Sequence, residues 1–219
     1  MSIYTKVCGL IEAASVRMVV KAKADAIGFN FYSKSKRYVA TETAIELRKN
    51  IPAHIDVVGV FVNSSPADVI DICEAVHLDV IQFHGDESAS DIKAVQDKCP
   101  GVKIFRAFRL NHDNFEQTTA ELCLLKDTGV HLAAVLVDAF VAGEFGGTGH
   151  QLDHDLLKKI PHRWPPLIVA GGLTSENVAD CIRVANPWGV DVASGVESQP
   201  GIKNPDKTKR FVIAAKSAG

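Results

Sequence analysis

Two residues able to exchange protons each close a short apolar run. Cys8 ends YTKVC and Asp138 ends AAVLVD. A thiolate can act as a base and a carboxylic acid as a proton donor, so the pair could serve a proton-transfer reaction. Each also has a plainer reading. A free cysteine is by type more often a small buried hydrophobe than a catalyst. An aspartate after a strand can cap the next helix or pair with a nearby Lys or Arg. A carboxylate closing an apolar run is nevertheless costly unless it is paired or functional, and partial desolvation would suit Asp138 to donate a proton. Arg37, in SKSKRYV, carries a guanidinium that can hold a carboxylate through two parallel bonds, against the alternative of a solvated loop charge. His84 follows VIQF and can be a ligand, a base or a structural histidine. No HxxE, HxH or Cys/His spacing accompanies it, so no metal is expected. Gly171–Gly172 follow LIVA, and Ser194–Gly195 follow VDVA. Glycine turns of this kind let backbone N–H groups approach an anion, although tight turns favour glycine for their own sake. Two of them after adjacent strands point to a phosphorylated substrate.

These residues need elements that hold them together. Apolar runs at Tyr4–Cys8, Ala26–Phe31, Asp56–Val62, Val80–Phe83, Val102–Arg106, Ala133–Asp138, Leu167–Ala170 and Val190–Ala193 read as strands. Between them lie segments with helical spacing: Glu12–Lys23, Thr41–Lys49 with Thr41 as N-cap, Ser65–Val76, Ser88–Lys98, Asn114–Asp127, Asp153–Ile160 and Ser175–Val184. Asp206–Ala215 follows the last strand. Several strands are continuously apolar, as parallel strands buried on both faces are. Eight strand–helix units predict an α/β protein built as a single (β/α)₈ TIM barrel of eight parallel strands, one catalytic domain over residues 1–219. An open doubly wound sheet is the alternative, and it would more often carry the GxGxxG loop that is absent here. In a barrel, chemistry sits at the C-terminal ends of the strands. Cys8, His84, Asp138 and both glycine turns fall there, with Arg37 in the loop after the second strand.

Composition narrows the function classes. The chain has 219 residues, 47% of them hydrophobic, with 24 basic and 26 acidic residues and a formal net charge of -2. No global basic field exists for nucleic acid or an anionic membrane. The five cysteines form no CxxC spacing, and four lie in or directly after predicted helices, which fits reduced thiols. The N-terminal stretch lacks a signal-peptide pattern, and no apolar run approaches the roughly 18 residues of a membrane span. A cytoplasmic protein with a small-molecule substrate is expected.

The strand ends match one family in order. KVCGL (6–10), GFNFYSKSKRYV (28–39), GVFVN (59–63), IQFHGDE (81–87), VLVDAF (135–140), GGTGHQLDHDLL (146–157), LIVAGGLTSENV (167–178) and VDVASGVESQPGIKN (190–204) resemble the phosphoribosylanthranilate isomerases of tryptophan biosynthesis. The resemblance implies an Amadori rearrangement of N-(5-phosphoribosyl)anthranilate to 1-(2-carboxyphenylamino)-1-deoxyribulose 5-phosphate without a cofactor. It implies Cys8 as the base at C2 of the opened sugar and Asp138 as the acid at the ring oxygen. It places Arg37 near the anthranilate carboxylate and His84 in the substrate site. It puts the phosphate on Gly171, Gly172, Ser194 and Gly195, with Gly147 and Gly149 of the GGTG loop nearby. A monomer is expected, with a homodimer as the alternative. Lys36 stands where the family usually has proline, and Asn204 replaces a frequent aspartate. Another phosphosugar isomerase or epimerase would use a different set of strand-end residues, and metal ligands in the case of an epimerase. A binding barrel without catalysis would be expected to have lost Cys8 or Asp138.

Overall fold

The structure, a computed structural model, describes residues 2–138 and 154–219. Eight strands close into one parallel barrel in sequence order. They are β1 (Tyr4–Cys8), β2 (Ala26–Asn30), β3 (Asp56–Phe61), β4 (Val80–Phe83), β5 (Lys103–Arg109), β6 (Leu132–Asp138), β7 (Leu167–Ala170) and β8 (Gly189–Val192). The helices between them are α1 (Ala13–Ala22), α2 (Thr41–Arg48), α3 (Pro66–Val76), α4 (Ala89–Lys98), α5 (Phe115–Asp127), α6 (His154–Lys159) and α7 (Val178–Ala185), with α8 (Pro205–Ala218) after the last strand. Among the described residues no helix is long and apolar enough to cross a membrane.

Local chemistry explains the boundaries. Ser65 and Ser88 accept bonds from the backbone N–H of Asp68 and Asp91, opening α3 and α4. Asn204 accepts from Asp206 and Lys207 and opens α8, with Pro205 in the first turn. Its carboxamide therefore does the capping that an aspartate would do. Thr41 is not a cap: Ala40 holds that position without a side-chain bond, and Thr41 is the first helical residue. Left-handed residues stop α1 at Lys23, α3 at His77 and α7 at Asn186.

The barrel has two cores. An inner one is filled by alanine and branched aliphatic side chains with Phe105 among them, including Ala26, Val58, Val80, Leu136 and Ile168. An outer one lies between strands and helices, with Val7, Phe29, Phe61, Phe83 and Phe211 fully or almost fully buried. Strand alternation sends successive side chains to one core or the other.

The fifth strand runs three residues beyond its expected end at Arg106. The sequence reading stopped at the charge. In the fold Arg106 points outward and is only 3% exposed. Its Nη1 donates to Glu87 Oε2 at 2.7 Å and its Nη2 to Glu121 Oε1 at 2.7 Å. Neutralised in this way, it lets the strand continue through Ala107 and Phe108 in register with Leu136 and Val137. Glu87 also accepts from the backbone N–H of Asn63 and Gly85, so the same carboxylate fixes the turn that carries His84.

Removing one partner of a buried ion pair typically costs about 3–5 kcal/mol. Arg106→Leu is therefore expected to lower the unfolding free energy by that amount in urea titrations. A loss under about 1 kcal/mol, the range of exposed pairs, would show that Arg106 is not a buried structural charge.

Candidate active site

Tyr4, Lys6 and Cys8 occupy alternate positions of β1 and share the barrel interior. Lys6 is fully buried, and its Nζ donates to Asp191 Oδ2 at 3.0 Å. Cys8 lies one layer nearer the C-terminal mouth and lines a cavity of about 310 Å³. The thiol has room because β2 carries Gly28 beside it: a Cβ there would come within 2.7 Å of Cys8 Sγ. Burial pushes the Cys8 thiol above its ordinary range, the Lys6 ammonium draws it back down, Asp191 pushes it up and Lys203 lowers it. Burial alone would lower Lys6, but Asp191 and Cys8 outweigh it and leave the ammonium held above its usual value.

Asp138, His84 and Gln82 line the same cavity. Gln82 Nε2 lies 3.3 Å from His84 Nδ1. Burial, reinforced by Lys6, lowers the His84 pKa and keeps the imidazole neutral near pH 7. Gln82 Oε1, Asp138 Oδ1 and Asp191 Oδ1 are buried with no hydrogen-bond partner among the described residues. Each unmet acceptor typically costs about 1–3 kcal/mol. A ligand bearing several hydroxyl donors would relieve all three.

The glycine turns form the far wall. Gly171 and Gly172 have φ of 87° and 56°, a region open to glycine without strain. Gly195 packs its Cα against the Leu173 carbonyl, where any Cβ would collide. The turns after β7 and β8 thus touch backbone to backbone. Ser194–Val196 forms one short 3-10 turn, followed by a hairpin of β9 (Glu197–Gln199) and β10 (Ile202–Lys203) that the sequence reading did not foresee.

Arg37 reaches the cavity from the loop after β2, its stem crossing Gly9. Ser35 Oγ accepts from the Arg37 backbone N–H at 3.1 Å, so the exposed Lys36 does not leave this loop unsupported. The guanidinium is already engaged. Its Nε and Nη2 donate to the two oxygens of Glu197 at 2.8 and 2.7 Å. The fork expected to be free for a substrate carboxylate is thus occupied on one edge.

The barrel mouth therefore brings Cys8, Arg37, His84, Asp138, Gly171, Gly172, Ser194 and Gly195 around one cavity. Gly147 and Gly149 lie outside the described residues. A thiol, a carboxyl group, hydroxyl-seeking acceptors and paired glycine turns in a (β/α)₈ barrel fit isomerisation of a phosphorylated sugar. Comparison with known proteins decides the family. Residues 5–214 match the family described as N-(5'phosphoribosyl)anthranilate (PRA) isomerase. The chain belongs to this family. The N-(5'-phosphoribosyl)anthranilate isomerase of Bordetella petrii is 42% identical over 217 residues, 97% of this chain and 94% of that protein. The crystal structure of phosphoribosyl anthranilate isomerase from Thermotoga maritima is 32% identical, covers 98% of this chain and 99% of its own, and superposes with a TM-score of 0.86. A phosphoribosyl anthranilate isomerase in complex with reduced 1-(o-carboxyphenylamino)-1-deoxyribulose 5-phosphate is 30% identical with a TM-score of 0.83, covering 98% and 99% of the two chains.

Three cavity neighbours escaped the sequence reading: Asp191, Glu197 and Lys203. Asp191 left a trace. A charge inside the apolar VDVA makes sense only opposite another interior charge, and Lys6 in YTKVC is one. Glu197 and Lys203 stood in the SGVE and PGIK stretches that carried the resemblance, but nothing in their spacing says that they meet.

The raised thiol has a measurable consequence. With the exposed Cys123 changed to Ser, alkylation of Cys8 by iodoacetamide is expected to keep accelerating beyond the ordinary thiol value of about 8.5. Lys6→Met should move that profile further toward alkaline pH, since it removes the nearest cation. A plateau below neutrality would show that the resting site stabilises a thiolate.

Proposed function

We propose that this chain performs the isomerase reaction of its family with Cys8 as base and Asp138 as acid. The single observation that carries the reading is that both groups line one cavity with Arg37 on one side and the glycine turns on the other. The substrate's phosphate would rest on Gly171, Gly172, Ser194 and Gly195, with Gly147 and Gly149 contributing from the GGTG stretch that follows β6 in the sequence. Its carboxylate would meet Arg37, and the sugar hydroxyls the unpartnered oxygens of Gln82 and Asp191. Neutral His84 can donate or accept a hydrogen bond to the sugar.

Asp138 gives its proton to the ring oxygen as the furanose opens, which leaves an iminium at C1. Cys8 then takes the proton from C2. The order matters physically. Burial holds the resting Cys8 as a thiol, so before it takes the C2 proton it gives up its own, to the carboxylate that Asp138 has become on protonating the ring oxygen; the new cationic iminium joins Lys6 and Lys203 in favouring the thiolate only once the ring is open. No cofactor is needed for these transfers. We place the protein in the cytoplasm, where a reduced Cys8 persists, and read it as a monomer.

Following the loss of phosphoribosylanthranilate tests the assignment. Cys8→Ser is expected to lose turnover almost completely while still binding reduced product analogue. Asp138→Asn should lose roughly 10²–10⁴-fold in kcat, the usual contribution of a general acid. Wild-type rates in either variant would remove that residue from its role.

A further inference from the structure

Glu197 takes no part in the proton transfers, yet among the described residues it is the most heavily bonded carboxylate near the cavity. It is 7% exposed. Arg37 holds both of its oxygens, Lys203 Nζ donates to Oε1 at 2.8 Å, and Gly201 N–H donates to the same oxygen at 3.0 Å. Its own carbonyl accepts from Lys207 Nζ at 3.1 Å. Lys203 is 1% exposed and donates onward to the Ala193 carbonyl at 3.1 Å, immediately before the Ser194–Gly195 turn. Burial pushes the Glu197 carboxyl up, but the bonds from Arg37 and Lys203 outweigh it and hold it ionised.

A guanidinium has five N–H donors. Glu197 takes the Nε edge and one hydrogen of Nη2. What remains is the end-on fork formed by Nη1 and the second Nη2 hydrogen, which can still hold a carboxylate through two bonds. Charge points the same way. Arg37 and Glu197 alone sum to zero and would attract an anion weakly. Lys203 brings the group to one net positive charge, which one substrate carboxylate neutralises. We propose that Glu197, anchored by Lys203, is a positioning residue that aims the free fork of Arg37 and so makes the enzyme select substrates whose arylamine carries a carboxylate. This rests on the reading that Arg37 meets that carboxylate. The same lysine ties the device to the phosphate turn, so both ends of the substrate are gauged against one framework.

The test compares phosphoribosylanthranilate with the aminoaldose formed from ribose 5-phosphate and aniline, which lacks the carboxylate. The informative variant is Glu197→Gln, because Lys203 and its bond beside the phosphate turn stay in place while the carboxylate fork that orients Arg37 is lost. The change makes the cluster more positive, so a loss on the carboxylated substrate reports orientation rather than weakened attraction. Its kcat/KM on the carboxylated substrate is expected to fall roughly 10–100-fold, as small misplacements near reacting groups do. On the aniline-derived substrate it should stay within about threefold of wild type. Glu197→Asp, which keeps the charge but shortens the reach to Arg37, should give a smaller loss in the same selective direction and serves should Glu197→Gln fold poorly. Equal losses on both substrates, or no loss on either, overturn the positioning role. Arg37→Ala separates the two readings. If it is selective for the carboxylated substrate while the Glu197 variants are not, only the positioning role falls. If Arg37→Ala is itself unselective, its contact with the carboxylate falls and the positioning role falls with it.

Discussion

The ion pair between Lys6 and Asp191 is the constraint on which the rest of the barrel turns. Its partners are 185 residues apart in the chain, yet they are direct register partners across the β1–β8 seam. A buried ammonium without a counter-charge would be far too costly to keep. The pair exists only when the last strand closes on the first, and only in this register. A shift of one residue would turn Asp191 out of the interior and leave Lys6 alone. Barrel closure, strand register and the charge beneath Cys8 are thus one condition rather than three. Below the pair, Tyr4 stacks on Trp188 with ring centroids 4.4 Å apart and meets Phe105 edge-on, which seals the bottom of the barrel with apolar surface.

The same solution recurs where the fold needs a charge inside. Arg106 sits between Glu87 and Glu121 on the outer face of β5, and Lys203 sits against Glu197 beside the mouth. Each cation is buried, and each has a carboxylate within 2.8 Å. Their consequences differ with place. Arg106 allows β5 to reach full length and steadies the turn of His84. Lys6 and Lys203 stand near the thiol and oppose the effect of its burial. The site thus holds Cys8 neutral at rest while keeping ready the charges that would stabilise its anion.

Legibility followed the range of the interaction. Hydrophobic periodicity reports which face of an element is buried, and it located all eight strands and their helices. Boundaries failed where a long-range partner changed the meaning of a residue: Arg106 looked like an end because its two glutamates could not be seen. Thr41 looked like a cap, but the cap position falls one residue earlier. The β9–β10 hairpin gave no signal, because its strands are too short for periodicity to show.

The sequence by itself determined the order of the eight units, the placing of Cys8, His84, Asp138 and the glycine turns at strand ends, and the family. Those follow from local patterns and short motifs. Tertiary structure alone decided what surrounds them. It set Lys6 against Asp191, gave one edge of Arg37 to Glu197, and left the oxygens of Gln82, Asp138 and Asp191 facing one cavity without partners among the described residues. The reason is physical. An electrostatic environment is a sum over neighbours in space, and in a closed barrel those neighbours come from opposite ends of the chain.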